Sequence, residues 1–431
     1  MPPDLEFDAI VLGAGPAGTT VAALLAEKGH RVALIEREPL PRYRIGESLI
    51  PHCWYALERL GLVQRVDSAG FVVRKFSVQF VSTDGRRSMP FYFNRHTDHD
   101  CSRTWQVSRA EFDALLLENA LEKGARLYPF TAAKELVAQG SQVVGVRAVR
   151  EDGAVLELRA PVTVDATGRD ALAQTRNGWR VKDPSLNKIA LWTYYEGSVR
   201  DEGIDEGATT IAYLPQRGWF WHIPMAHDRV SVGIVAEADY LYRDVRDRER
   251  IFLREVERQP WIRERLAPGK RVAELRTTGD FSYRSKHCAT SGLVLVGDAF
   301  AFLDPVFSSG VYFALQSGVM AADAVHAAVE AGDASAARFL DYGRRFCRQI
   351  EPMRRLVYAF YDSAFHFGTF LRNHPEFHRD MTDCLTGNLD RDFGPFFAAI
   401  ARYASVPEPL SHGLPTGSGR RELERGSAEA S

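Results

Sequence analysis

The stretch from Phe7 to Glu36 constrains the fold more tightly than any other. Residues 7–12 form a short, largely apolar run, the pattern of a strand buried in a parallel sheet. It meets Gly13-Ala14-Gly15-Pro16-Ala17-Gly18. From Pro16 to Lys28 the pattern is helical, with Gly29 as a C-terminal stop. Arg31 to Ile35 is the next strand, and Glu36 ends it. This is a complete βαβ unit carrying the dinucleotide fingerprint. Gly13 allows the tight turn, Gly15 lets backbone approach a pyrophosphate at the helix N-terminus, and Gly18 lets the helix pack closely on the strand. Glu36 is placed to accept hydrogen bonds from ribose hydroxyls. We assign Gly13, Gly15, Pro16, Ala17, Gly18, Glu36 and its neighbour Arg37 to a bound dinucleotide. The bland alternative is a tight turn followed by a surface acid.

Composition narrows the class by exclusion. A chain of 431 residues suggests two or three domains, or one large fold with an inserted second layer. A net charge of −2 argues against a nucleic-acid partner. No apolar run is long enough to span a bilayer, and Met-Pro-Pro-Asp-Leu-Glu does not read as a signal peptide. Cysteines 53, 101, 288, 347 and 384 are scattered and odd in number, the pattern of reduced thiols in a cytoplasmic protein; no metal site is expected. The Gly-, Ser-, Arg- and Glu-rich segment from about Ser411 is expected to be disordered.

Two further segments bear on the cofactor. Residues 162–169, Val-Thr-Val-Asp165-Ala-Thr-Gly168-Arg, form a strand running into a small-residue turn. Residues 293–299, Leu-Val-Leu-Val-Gly297-Asp298-Ala, form a second strand ending in Gly-Asp. With the fingerprint, these segments resemble the flavoprotein monooxygenases, and the resemblance covers roughly residues 7–330. It implies FAD, with Asp165 and Gly168 near the adenine half and Gly297-Asp298 on the ribityl chain. It also implies that Arg109, in Trp105-Gln-Val-Ser-Arg109, contacts the flavin; the bland alternative is an ordinary residue at a helix N-terminus. One glycine-rich fingerprint is present, so reduction comes from transient NAD(P)H binding or from a separate reductase delivering FADH2.

Residues 219–224, Trp-Phe-Trp-His-Ile-Pro, narrow the class further. In a strand, Trp219, Trp221 and Ile223 point to one side and Phe220 and His222 to the other, and Pro224 ends the strand or places it at an edge. Taken alone this is a bulky core strand. The same residues are the signature of flavin-dependent halogenases, and the chain resembles that family. Gly46-Glu47-Ser48-Leu49-Ile50-Pro51 is similar to its loop over the flavin, which assigns Glu47 and Ser48 to the cofactor. Asp304-Pro305-Val306-Phe307-Ser308-Ser309-Gly310-Val311 is similar to its halide and flavin loop. Pro305, Ser309, Gly310 and Val311 are therefore assigned to the flavin, and the N–H groups of Ser309 and Gly310, opening a helix over 311–327, to a chloride or bromide ion.

Lys75 is the catalytic candidate. Read as one strand from Phe71 to Phe80, Val72, Phe76, Val78 and Phe80 share one face, and Lys75, Ser77 and Gln79 share the other, more polar one. A lysine there is ordinarily solvated. The resemblance implies instead the essential lysine, although Ser77-Val78 stands where the family commonly has Gly-Ala, and one extra residue separates Phe71 from Lys75. The implied reaction is FADH2-dependent halogenation of an electron-rich aromatic ring. Flavin C4a-hydroperoxide, formed with O2, oxidises halide to hypohalous acid, Trp219 and Trp221 separate flavin from substrate, and Lys75 relays the oxidant. The alternative is a non-halogenating monooxygenase or oxidoreductase of the same fold.

Tryptophan halogenases carry a glutamate where this chain has Phe307, which points to phenol or pyrrole substrates, free or tethered to a carrier protein. The ring-rich stretch 357–370 is either a core helix or the lid or floor of an aromatic pocket. Arg344, Arg345, Arg348, Arg354 and Arg355 are either a solvated helix face or a dock for an acidic carrier. The expected architecture is α/β. A doubly wound FAD-binding domain (1–80, 111–185 and 286–335) interleaves with an antiparallel-sheet substrate layer (81–110 and 186–285). A helical region (336–410) and a tail (411–431) follow. The partners expected are a flavin reductase and the aromatic substrate.

Overall fold

The computed structural model describes residues 6–95, 99–215, 218–279 and 282–418. A six-stranded sheet carries the nucleotide end. Its order is Ala289–Thr290, Leu293–Leu295, Val162–Asp165, Ala9–Leu12, Val32–Ile35 and Arg126–Tyr128. Only the pairing at the 289–290 edge is antiparallel. The strands 9–12, 32–35 and 162–165 are buried throughout, as their apolar runs require. Leu12 is in register with both Asp165 and Ile35, so the glycine turn, Glu36 and the Ala166-Thr167 turn emerge side by side at one sheet edge. Ligands bind at this carboxyl end in doubly wound sheets.

The helix Pro16–Glu27 follows the turn and is buried over its first eleven residues. A Cβ on Gly18 would stand 1.9 Å from the Gly13 carbonyl oxygen, so the close approach of helix to strand excludes any side chain there. Beyond Glu27, Gly29 at φ +86° and the bond from the His30 N–H to Leu25 O close the helix.

The second layer is an eight-stranded sheet. Its order runs Lys270–Arg271, Lys188–Glu196, Arg229–Glu237, Gly218–Pro224, Thr209–Leu214, Ser77–Val81 and Phe91–Tyr92, with Arg276–Thr278 also paired to 188–196. It is antiparallel, as expected, except that 209–214 and 77–81 run parallel. Strand 218–224 is central, and Pro224 ends it. Both of its faces are covered, because Phe220 and His222 meet Phe252 and Trp261 of the helices Arg248–Arg258 and Pro260–Leu266.

Three local expectations are corrected. First, residues 71–80 are not one strand. Val72–Lys75 pairs with Thr104–Val107, whereas Ser77–Val81 joins the large sheet, so the chain changes sheets at Phe76. The polar row is the buried one: Lys75, Ser77 and Gln79 are 2%, 0% and 1% exposed. Gln79 finds its partner in Thr210 Oγ1 at 2.7 Å.

Second, the arginine run 344–355 is not a single solvated face. Arg354 is buried and held by Glu351, and Arg355 lies over the Phe397 ring, while Arg345 and Arg348 reach Asp390. A helix face repeats every 3.6 residues, so the run wraps around the helix Leu340–Tyr361.

Third, residues 411–418 are ordered. Gly413 N–H donates to Lys286 O, Thr416 N–H to Ala289 O, and Leu414 is buried, so these backbone bonds and that burial outweigh the polar composition; residues 419–431 lie outside the described residues. Among the described residues all five cysteines are free and buried, and no helix is long and apolar enough to cross a membrane.

Candidate active site

A cavity of about 1010 Å³ runs from Glu36 past the glycine turn to the tandem tryptophans and the 304–311 loop. Two helices open into it. Helix 16–27 starts at Gly15 and helix Ser309–Glu330 at Ser308, and neither N-terminus has a side-chain cap. Both therefore present unsatisfied N–H groups and the positive end of a helix dipole to the cavity. A Cβ on Gly15 would meet nothing nearer than Arg42 Nη2 at 4.0 Å, so this turn leaves its backbone open to an occupant. A dinucleotide fits this arrangement: an anion-binding helix end with a carboxylate, Glu36, beside it at the same sheet edge.

The sequence-assigned residues fall into two groups. Gly13, Gly15, Pro16, Ala17, Glu36 and Arg37 line the cavity at one end. Glu47, Ser48, Arg109, Gly168, Asp298, Pro305, Ser309, Gly310 and Val311 line it as well. Gly18, Asp165 and Gly297 stand behind the wall. Asp165 accepts N–H bonds from Thr167 and Ala173 and so folds the turn that carries Gly168. Gly297 N–H donates to Ser317 Oγ at 2.9 Å. Glu36 also holds the glycine turn, accepting Ala14 N–H at 2.8 Å. Arg109 is both of its expected things, a first helix residue and a cavity residue; it binds Asp113 at 2.9 Å and donates to Ile45 O at 2.7 Å.

Trp219, Trp221 and Ile223 form one wall of the cavity, as their alternation requires. Their indoles are fixed. Trp221 Nε1 donates to Ser231 Oγ at 3.1 Å, and Trp219 Nε1 to Tyr361 OH at 2.9 Å. Tyr361 OH donates in turn to Asp304 Oδ2 at 3.0 Å, and Asp304 Oδ1 accepts Val306 N–H at 3.0 Å. The wall and the 304–311 loop are thus joined through one tyrosine of helix 340–361. Phe307 packs edge-on against Phe360, which also meets Trp219 and Tyr213. The helix stops at Tyr361, and a second begins at Phe367, so the 357–370 stretch is a bend of rings against the tryptophan wall.

Lys75 does not line the cavity. Its amine is sealed behind Ser48, donating to Ser48 Oγ at 2.8 Å and to Leu49 O at 3.0 Å, with the Phe93 ring 5.7 Å away. Ser48 Oγ shares a 2.8 Å hydrogen bond with Thr209 Oγ1, which accepts from Gln106 Nε2 at 2.8 Å. Among the described residues no carboxylate pairs with the amine, and burial pulls its pKa from 10.5 down to about 7. Burial also pushes Glu47 up to about 7, against hydrogen bonds from Tyr194 and Ser231, and Asp298 and Asp304 up to about 6.

Sequence reasoning missed several members of the site. Thr209, Gln106 and Arg42 carry no local signal. Tyr361 sits in the ring-rich stretch 357–370, whose composition does not distinguish it from its neighbours. Gly233 lies opposite Trp221 in register, and a Cβ there would stand 2.3 Å from the indole; a glycine inside a strand is the signal that points to it.

Comparison with known proteins bears on the chemistry. A family model described as tryptophan halogenase matches residues 8–101 and 72–370. The chain is 29% identical over 409 residues to a 1H-pyrrole-2-carbonyl peptidyl-carrier-protein chlorinase of Pseudomonas fluorescens, covering 90% of each. It is 33% identical over 331 residues to the corresponding brominase of Pseudoalteromonas luteoviolacea, covering 76% of this chain and 79% of that one. Among solved structures, a flavin-dependent brominase superposes with a TM-score of 0.83 at 28% identity, covering 92% of this chain and 97% of that one. The myxobacterial chondrochloren halogenase superposes with a TM-score of 0.79 at 32% identity, covering 99% and 96%.

Proposed function

The chain belongs to the tryptophan halogenase family and is an FAD-dependent halogenase, and from that premise we propose that it halogenates a phenol or pyrrole ring held on a carrier protein. The observation that carries the site assignment is the buried amine of Lys75, held by Ser48 and Leu49 with no carboxylate partner among the described residues, one hydroxyl away from a cavity into which two helix N-termini open. Phe307 in place of the glutamate of tryptophan halogenases, and the two carrier-protein pyrrole halogenases among the relatives, support the substrate class.

When bound, reduced flavin supplies, with O2, the two-electron oxidation that converts halide to hypohalous acid. The chain's residues do the rest. The N–H groups of Gly15 and Ala17, on either side of Pro16, would receive the pyrophosphate, and Glu36 the ribose. Arg109, Glu47 and Asp298 border the ring and ribityl end. The N–H groups of Ser309 and Gly310 hold the halide at the helix N-terminus. Trp219 and Trp221 keep the arene from this end of the cavity. Ser48 stands between the cavity and Lys75, whose neutral amine would take the halogen from hypohalous acid as its O–halogen bond breaks, the amine proton leaving with the displaced hydroxide as water, or would orient hypohalous acid by a hydrogen bond toward the arene. A separate flavin reductase supplies FADH2.

The test combines protein, flavin reductase, NADH, O2 and bromide or chloride with pyrrole-2-carbonyl or hydroxybenzoyl groups loaded on a carrier domain, and with free phenols. A halide-dependent mass gain on the loaded carrier, lost in Lys75→Met while FAD binding is retained, is the expected result. Halogenation undiminished in Lys75→Met removes the lysine assignment, and turnover of free phenols alone removes the carrier.

A further inference from the structure

Far from the cavity, the two helices that open into it end side by side. Helix 16–27 closes at Gly29, and the next residue is His30. Helix 309–330 ends with His326 and Glu330, four residues apart and so on one face. The Nε2 atom of His30 lies 2.7 Å from Nδ1 of His326, and a carboxylate oxygen of Glu330 lies within 4.8 Å of a ring nitrogen of each. Glu330 is exposed, so an ion reaches the cluster from solvent. Both helices bring their C-terminal, partially negative ends to this point. The neighbouring cation is already engaged: Lys28 lies 3.5 Å from Asp323.

We propose that His30, His326 and Glu330 form a zinc site, with water as the remaining ligand, that ties together the far ends of the two helices whose N-termini serve the active site. Two imidazoles and a carboxylate are a donor set that tetrahedral zinc accepts. Ligand nitrogens at about 2.0–2.1 Å from the metal stand about 3.3 Å apart in that geometry, so the histidines separate by about half an ångström on binding. Their shared proton moves to the far nitrogen of its own ring, which leaves both facing lone pairs for the metal. The ion then crosslinks two elements distant in sequence and stabilises the folded state by mass action.

The measurement is zinc uptake by the FAD-loaded protein, without a histidine tag, followed by calorimetry and by thermal melting. One tight equivalent is expected in the unaltered protein, with a rise in melting temperature on zinc addition. His326→Ala and the exposed-site variant Glu330→Gln lose the rise, and cobalt in the unaltered protein gives the intense visible bands of a tetrahedral site that His30→Gln abolishes. Equal zinc uptake by the unaltered protein and the His30→Gln, Glu330→Gln double variant, or no uptake at all, overturns the proposal and leaves a simple histidine–histidine hydrogen bond.

Discussion

A lysine buried without a carboxylate partner taxes the folded state, and the tax has a pH signature. Lys75 holds its proton up to about 7 in the folded chain and up to 10.5 when unfolded. Each tenfold difference in proton affinity is worth about 1.4 kcal/mol, so the ceiling on the penalty is about 5 kcal/mol. The sign follows from linkage. Between about pH 7 and about pH 10 the unfolded state binds more protons, so stability rises with pH by about 1.4 kcal/mol per pH unit from this group. Below about 7 both states are charged and the penalty is constant; above about 10.5 both are neutral and it vanishes. Lys75→Met keeps the length and removes the charge. It also removes the bonds to Ser48 and Leu49, which contribute about 1 kcal/mol each. Lys75→Met is therefore expected to be about 1–3 kcal/mol more stable than the unaltered protein at pH 7, and to lose that advantage, or reverse it, toward pH 10. Urea unfolding of both proteins across this range, followed by tryptophan fluorescence, measures the gap. A gap that does not change with pH refutes the reasoning, because it means the amine does not change charge on folding in this range. Halogenation by the unaltered protein is expected to rise through about pH 7 as the amine deprotonates, if the free base carries the halogen.

Other perturbations test the wall and its supports. Gly233→Ala places a methyl 2.3–2.4 Å from the Trp221 indole and 2.5 Å from Trp192 Cβ. It should cost about 1–3 kcal/mol and raise the hydrogen peroxide released per NADH consumed, both readable in one set of preparations. Tyr361→Phe leaves Trp219 Nε1 and Asp304 without their shared partner; each buried orphan costs about 1–3 kcal/mol, and the KM for halide should rise more than kcat falls. Charge reversal of Arg344 and Arg345 should raise the KM for carrier-bound substrate by about threefold or more, with a steeper salt dependence, while turnover of a free arene stays constant.

The residues that were legible in the sequence share a property: their local pattern has one structural solution. Gly13 to Gly18 can only be a tight turn under a helix, and the alternation in 218–224 survives because both faces of the strand are buried. The tryptophan face was readable for the same reason. Lys75 shows the limit. Its row of Lys, Ser and Gln reads as solvent-facing, yet tertiary packing covers it, since the chain changes sheets at Phe76 and the segment around Phe93 lies over the amine. Thr209 and Gln106 were unreadable because they act only through contacts across more than a hundred residues. The tail from 411 to 418 failed for a related reason, since its order comes from carbonyls of residues 286 and 289 rather than from its own composition.

The electrostatics of the cavity follow from burial more than from pairing. Glu47 and Lys75 are both brought to about 7, from opposite directions, and Asp298 and Asp304 to about 6. In all four, removal from water disfavours the charged form more than any neighbour restores it. Pairing would have done the reverse, holding each group firmly in its charged form. Forming hypohalous acid and releasing a proton from the halogenated ring both require protons to move near neutral pH, and groups poised there exchange them at least cost. A single residue then sets how far this poise reaches. Ser48 touches the cavity on one side and the lysine on the other, so among the described residues its hydroxyl is the polar group that links them directly. A chain that gave Lys75 an aspartate instead would gain stability and fix the amine as a cation, and a cation neither accepts a halogen nor changes charge between pH 6 and 8.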